Sequence, residues 1–158
     1  MIVVADSSPL QYLILLEQSA LLERFYGHVF VPDVVAAELR APGAPESVRG
    51  WMSTPPSWME VVSVTEFEAA AVADWLDRGE RAALALAERL RADLVLIDER
   101  DGRTEAMRRS FQVTGTLGVL RAAAERGLID VADVVSRLRA TSFYLDETLL
   151  QEALGDWL

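Results

Sequence analysis

Short apolar runs rich in β-branched residues alternate along this chain with longer segments of helical periodicity. Such runs are typical of buried strands. We place five strands, at Ile2 to Ala5, His28 to Val31, Glu60 to Val64, Leu94 to Ile97 and Phe111 to Val113. Strands that alternate with helices form a parallel sheet, because the crossover helices pack on both of its faces. The alternation therefore predicts a single α/β domain of three layers around a central parallel sheet of about five strands.

Capping residues and prolines set the expected helix boundaries. Ser8 before Pro9 predicts a helix that runs to about Tyr26, and Pro32-Asp33 predicts another that runs to about Arg40. Residues 41–58 form a proline-rich loop with a helical turn or two at Glu46 to Met52. The other helices are expected at Thr65 to Asp77, Glu80 to Arg91, Gly102 to Arg109, Thr116 to Arg126, Asp130 to Arg139 and Asp146 to Trp157. We see no repeat or linker, so residues 1–158 are expected to form one domain that includes the C-terminal helices over about 116–157.

Missing residue types exclude several classes of protein. The chain has no Cys, which excludes disulfides, thiolate metal sites and a Cys nucleophile, and no Lys, which excludes a Walker A loop and a Schiff base. The single histidine, His28, excludes a His-rich metal site. No apolar run approaches the roughly 20 residues of a membrane span, and no basic segment opens a secretory signal. We therefore expect a cytoplasmic protein with no membrane contact.

Two aspartates directly follow predicted buried strands. Asp6 comes after Ile2 to Ala5, and Asp98 comes after Leu94 to Ile97. Each is open to interpretation as a helix N-cap, although Ser8 is better placed than Asp6 to cap the first helix. The carboxyl ends of parallel strands meet at one edge of the sheet, where the functional crevice of such folds lies. Both aspartates are therefore expected at that edge.

Two glutamates lie on helices that should pack beside this edge. Glu38 interrupts a mostly apolar helix, and Glu80 follows Gly79 in the first turn of another. Taken singly, each has an ordinary role as a surface residue or as an acid favoured by the helix dipole. Gathered together, four carboxylates raise one another's pKa unless a divalent cation lies among them. Oxygen ligands suit Mg²⁺ or Mn²⁺, which polarise phosphodiesters and activate water. The candidate catalytic and metal-ligating residues are Asp6, Glu38, Glu80 and Asp98.

In this order the motifs resemble those of the PIN-domain family. Asp6-Ser7-Ser8 resembles the family's opening motif, and the segment from Val31-Pro32 to Glu38-Leu39 resembles the second. Gly79 to Ala87 looks like the third motif and Val95 to Asp98 like the fourth. Residues 103–106 and 115–120 further resemble a prokaryotic PIN subgroup related to VapC-type toxins. The resemblance covers nearly the whole chain.

The resemblance implies a Mg²⁺- or Mn²⁺-dependent ribonuclease, frequently a homodimer, and often a toxin that a small antitoxin holds inactive. Glu80 stands where the commoner toxins have Asp, and the last acid is Asp98, Asp101 or both. The net charge of −10 counts against an RNA partner. A local arginine cluster offers an answer to this objection, and its members are Arg100, Arg103, Arg108 and Arg109. The alternative is a non-catalytic PIN-like binding module that acts through protein–protein contacts.

Three polar residues near the acids have more than one interpretation. Ser8 and Thr116 are interpreted mainly as helix N-caps. Arg103 is either a phosphate ligand or the ion-pair partner of Glu99.

Overall fold

The computed structural model describes all 158 residues and contains one five-stranded sheet. The strands are β1 (Val3–Ala5), β2 (Val29–Pro32), β3 (Met59–Val62), β4 (Leu94–Leu96) and β5 (Gln112–Thr114). Their order across the sheet is β3-β2-β1-β4-β5, and every neighbouring pair is parallel. The predicted α/β domain with a parallel sheet is confirmed.

Ten α-helices and a final 3-10 turn at Gly155–Trp157 surround the sheet. The helices are α1 (Ser7–Leu15), α2 (Ala20–Tyr26), α3 (Asp33–Arg40), α4 (Glu46–Ser53), α5 (Glu66–Ala70), α6 (Arg78–Leu90), α7 (Arg100–Arg108), α8 (Thr116–Glu125), α9 (Val131–Arg139) and α10 (Glu147–Leu154). None of them combines the length and the apolar character needed to cross a membrane.

Alternate residues of the strands enter two separate apolar cores. In β1, Val3 and Ala5 pack into the core that includes α1, α3, α4 and α8 to α10, whereas Val4 packs into the core dominated by α6. All three side chains are fully buried. A strand that is buried on both faces needs apolar residues at every position, which explains the continuous apolar run in the sequence.

The first predicted helix is wrong in its start and in its length. The helix begins at Ser7, and Ser8 does not cap it; Asp6 occupies the N-cap position without a side-chain capping hydrogen bond. The chain then leaves the helix after Leu15 and starts α2 at Ala20. Glu17, between them, adopts a left-handed conformation with φ of 58°. A helix cannot continue through that conformation, so the segment forms two helices.

The helix expected from Thr65 to Asp77 is also shorter than predicted. Thr65 and Glu68 form a reciprocal capping box that starts α5, but this helix ends at Ala70. Asp77 has an extended backbone, with φ −70° and ψ 171°, and its side chain caps α6. A residue that caps the following helix from an extended conformation cannot also be the last residue of the preceding one.

The order of the strands reverses beside β1. The chain enters at β1 in the centre, adds β2 and β3 on one side, and then returns to add β4 and β5 on the other. Ala5 is paired with Leu96, and the backbone N–H of Asp6 donates to the carbonyl of Leu96 at 2.9 Å. Such a reversal opens a crevice at the carboxyl ends of the two central strands. Asp6 and Asp98 border that crevice.

Candidate active site

Asp6 is a buried carboxylate with an unsatisfied oxygen. The residue is 4% exposed, and its Oδ1 has no hydrogen-bond partner. Burial raises the pKa of Asp6 to about 8, helped by the charges of Asp77, Glu80 and Glu38, although the backbone N–H of Ser7 lowers it. A buried polar atom without a partner is uncommon in folded proteins, and here it marks a place for a cation or a proton.

Glu38 meets Asp6 above Gly79. Helix α3 packs on α6. A Cβ added to Gly79 would lie 2.7 Å from Glu38 Oε1 and 3.1 Å from Asp6 Oδ1. The glycine therefore leaves a small space into which both oxygens point. Glu38 remains partly open to solvent; loss of water around its carboxylate raises its pKa, while the Ser7 hydroxyl and the charge of Arg78 lower it.

Glu80 lies in the first turn of α6, with its side chain 5% exposed. Burial and then the charge of Asp77 raise the pKa of Glu80 to about 7, and the charge of Glu99 adds to the effect. Asp77 Oδ1 accepts a hydrogen bond from the backbone N–H of Glu80 at 2.8 Å. Asp77 therefore fixes the start of the helix and also adds a fifth negative charge to the acids around it.

Asp98 is held by Thr116 on the neighbouring chain segment. The backbone N–H and the hydroxyl of Thr116 donate to Oδ1 and Oδ2 of Asp98, each at 2.7 Å. A Cβ on Gly115 would collide with Asp98 Oδ1, so this close approach requires a glycine. Burial raises the pKa of Asp98, while the two Thr116 hydrogen bonds and the charge of Arg103 lower it.

The four candidate acids do not share the same neighbours. The charge of Asp77 raises the pKa of Asp6, Glu38 and Glu80. The charge of Glu99 raises the pKa of Asp98 and also that of Glu80. No group of three or more His, Cys, Asp or Glu side chains is arranged to hold a metal ion. The carboxylate oxygens that lie around a shared point are those of Asp6 and Glu38 above Gly79.

Asp101 does not join this group. It is exposed in the first turn of α7, which begins at Arg100, and it perturbs the pKa of none of the four candidates. The expected helix start at Gly102 is two residues late, and Glu99 occupies the N-cap position.

The arginine cluster predicted beside Asp98 is largely engaged elsewhere. Arg108 pairs with Glu105, and Arg109 pairs with Glu88 and Glu105. Arg103 donates to the carbonyl of Ile97 at 3.1 Å and forms no ion pair with Glu99. These arginines stabilise the fold around α7, and only Arg100 of the cluster lacks such a contact.

Sequence reasoning missed three contributors to the site. Ser7, and not Ser8, faces the acids. Thr116 was interpreted mainly as a helix cap, but its hydroxyl binds Asp98 while Gly115 occupies the N-cap position. Asp77 carried a readable signal, since an aspartate three residues before Glu80 fits an N-cap at the start of α6.

The fold and the acids define an α/β protein whose carboxylates gather at the strand-order reversal of a parallel sheet. A family model of the PIN domain matches residues 2–157, and the chain belongs to the PIN-domain family. PIN domains are generally nucleases that bind nucleic acid and use divalent metal ions. No curated protein matches the chain.

Proposed function

We propose that this protein is a metal-dependent endoribonuclease that hydrolyses RNA phosphodiester bonds, with Asp6, Glu38, Glu80 and Asp98 as its catalytic carboxylates. The observation that carries the proposal is the buried, unpartnered Oδ1 of Asp6, which shares the space above Gly79 with Glu38 Oε1. An oxygen that lacks a donor and faces a second carboxylate is suited to a divalent cation.

The donor set fits Mg²⁺ or Mn²⁺. Mg²⁺ is usually held by one or two carboxylates and keeps several of its waters, so Asp6 and Glu38 are sufficient as direct ligands. When bound, such an ion polarises the phosphodiester and lowers the pKa of the attacking water. Glu80 and Asp98 add negative charge beside the direct ligands and are candidate ligands themselves. Thr116 fixes the orientation of Asp98, and Asp77 fixes the first turn of α6, from which Glu80 extends.

We further propose that the protein is the toxin of a toxin–antitoxin pair. The support is the resemblance of residues 103–106 and 115–120 to the PIN subgroup related to VapC-type toxins. On this proposal the whole chain, residues 1–158, is the catalytic domain of a cytoplasmic homodimer, and a small antitoxin protein inhibits it.

Cleavage assays on purified variants test the nuclease proposal. Asp6→Asn, Asp98→Asn and Glu38→Gln keep the shape of each side chain but remove a negative charge. Each is expected to lower Mg²⁺- or Mn²⁺-dependent cleavage of single-stranded RNA by more than about 100-fold while the protein stays folded. Asp101→Asn is the matched control and should cleave as the wild type does, because Asp101 is exposed and lies apart from the acid group.

Two outcomes would contradict the proposal. Cleavage by Asp6→Asn at the wild-type rate would show that the activity has another source. RNA that the wild type binds but never cuts, with either metal, would favour the non-catalytic binding module instead.

A further inference from the structure

Two arginines next to the acid group have no partner of their own. Arg78 and Arg81 lie in the first turn of α6, and the side chain of neither forms an ion pair or a hydrogen bond. The Nε of Arg81 is buried without an acceptor. Buried guanidinium N–H groups are normally paired, so this one indicates an acceptor supplied from outside the chain.

Both arginines line one cavity of about 300 Å³ between α3, α5 and α6. Five of the nine residues that line the cavity are apolar, and they are Val34, Val64, Ala69, Ala70 and Ala82. Thr65 and Glu66 complete the lining, and Glu66 is its only acid. A cavity of this size lies at the lower end of the range for small-ligand pockets.

This cavity adjoins the carboxylate group. A second cavity, of about 510 Å³, is bordered by Asp33, Ala37, Glu38, Ala41 and the two residues that the cavities share, Val34 and Arg78. Arg78 is also close enough to Glu38 to lower the pKa of that carboxyl. Arg78 therefore links the first cavity to the acids, because it borders both cavities and lies near Glu38.

We propose that the cavity lined by Arg78 and Arg81 binds a nucleotide of the RNA strand next to the scissile bond, an inference that rests on the proposed nuclease function. A nucleotide has an anionic phosphate and a flat, weakly polar base. The two guanidinium groups match the phosphate, and the apolar lining matches the base. An acidic side chain of a protein partner would pair with the arginines but leave the apolar lining uncovered.

Helix α5 supplies three of the nine lining residues, Glu66, Ala69 and Ala70, and it also carries Phe67, which is 88% exposed and does not line the cavity. An exposed aromatic ring on this helix is available to stack an unpaired base of a strand that leaves the cavity. The lining of the first cavity carries two arginines against one acid, Glu66, so this cavity is locally positive although the net charge of the chain is −10.

RNA binding measured without cleavage tests this subsite. The parent is the Asp6→Asn protein in Mg²⁺, and the probe is a short fluorescent single-stranded RNA followed by anisotropy at several salt concentrations. Arg78→Ala with Arg81→Gln is expected to flatten the plot of log K against log salt by about 0.7, the contribution of one phosphate of a single strand that is no longer neutralised. Glutamine keeps most of the length of the half-buried Arg81, and melting curves establish that the variant is folded.

Two further variants separate charge from shape. Arg24→Ala is the matched control: Arg24 is exposed, has no ion pair and lines neither cavity, so the salt slope should stay that of the parent. Ala70→Leu extends an exposed side chain into the cavity. It should weaken binding by about tenfold, because one base can no longer enter the cavity, with the slope unchanged.

The outcomes distinguish this inference from the proposed function. If the parent binds no RNA and the wild type cuts none, both fail. If the wild type cuts RNA but the Arg78/Arg81 variant has the same slope of log K against log salt as the parent, the proposed subsite is wrong and the nuclease function stands. If the Ala70→Leu variant binds RNA as tightly as the parent protein does, the nucleotide subsite is also wrong. The cavity would then be a candidate site for a protein partner.

Discussion

At the scale of single residues, the carboxylates depend on neighbours that have no charge of their own. Gly79 leaves room for Asp6 and Glu38, and Gly115 leaves room for Asp98. Thr116 supplies both hydrogen bonds that orient Asp98. The geometry of the site is therefore open to test through residues that cannot themselves bind a metal.

Gly79→Ala is expected to impair the site without harming the fold. The new Cβ would lie 2.7 Å from Glu38 Oε1, the end of a flexible side chain, so the Glu38 carboxylate must leave its position above residue 79. Cleavage and Mg²⁺ affinity should fall by about 10- to 100-fold, as for other residues that orient metal ligands. Alanine itself favours a helix, so the free energy of unfolding should not decrease.

Gly50→Ala is the matched control for this change. Gly50 lies within α4, and a Cβ there would meet nothing within 4 Å. It should raise the free energy of unfolding by about 0.5–1 kcal/mol and leave cleavage unchanged. Equal cleavage by the Gly79→Ala and Gly50→Ala proteins would show that the space above Gly79 is not used.

Thr116→Val is expected to reduce both stability and activity. The variant keeps the shape and the backbone N–H but removes the hydroxyl that donates to Asp98 Oδ2. Loss of a hydrogen bond to a carboxylate costs about 1.5–3 kcal/mol, and it also raises the pKa of Asp98 further. Urea unfolding at pH 8 measures the cost, and Thr116→Ser, which restores the hydroxyl, should recover most of it. A Thr116→Val protein as stable as the Thr116→Ser protein would exclude this role.

The positions of Asp6 and Asp98 after the strands β1 and β4 were predictable from the sequence, but the residues that contact Asp98 were not. Asp6 and Asp98 each follow a continuous apolar strand, so the edge at which they lie follows from the parallel sheet alone. Thr116 and Asp98 are separated by 18 residues, and their contact depends on the pairing of β4 with β5. No local pattern in the sequence specifies that contact.

At the scale of elements, the start of α6 links the fold to the site. Gly79, Glu80 and Arg81 lie in its first turn, and Asp77 caps it from the preceding segment. Asp77 also raises the pKa of Asp6, Glu38 and Glu80 through its charge. The same side chain therefore stabilises the helix and destabilises the ionised acids around it.

Two substitutions at Asp77 separate these effects. Asn keeps a side-chain oxygen for the cap but removes the charge, so the pKa of Glu80 should fall and the metal-free protein should become more stable at pH 8. Ala removes the charge and the cap, and should be less stable than Asn by about 1 kcal/mol. Urea unfolding in EDTA compares the two variants, and NMR titration follows the Glu80 carboxyl. Indistinguishable unfolding of the two variants would show that the cap contributes nothing.

The elements themselves show where sequence patterns stop being informative. The strands were found within one or two residues, and for β1 the reason is burial on both faces, which requires an unbroken apolar run. The helix ends near Glu17 and after Ala70 were not predicted, because the helices end there without a proline or a glycine. At Glu17 the chain adopts a left-handed conformation, and the backbone N–H of Gln18 donates to the carbonyl of Leu13, which closes the helix end. At Asp77 the cap of the next helix decides the boundary.

At the scale of the whole molecule, the acid group makes folding stability depend on metal and pH together. The pKa of Asp6 is about 8 in the folded protein against an ordinary value of 3.8, and that of Glu80 is about 7 against 4.5. Both groups bind protons in the folded state at pH values where the unfolded chain has released them. Their protonation therefore favours folding only over a defined range of pH.

The metal-free protein is expected to lose stability as the pH rises. For groups whose folded pKa is raised, the favourable contribution is complete below the unfolded pKa, near 4, and is lost as the pH passes through the folded values of about 7 and 8. A divalent ion that binds the ionised carboxylates of the folded protein reverses this loss, because binding to the folded state alone raises its stability. Between pH 5 and pH 8 the melting temperature should thus fall steeply in EDTA and stay nearly constant in Mg²⁺. Asp6→Asn should melt above the wild type at pH 8 in EDTA and gain little from Mg²⁺. Melting curves that coincide with and without the metal across this range would rule out a metal site at these acids.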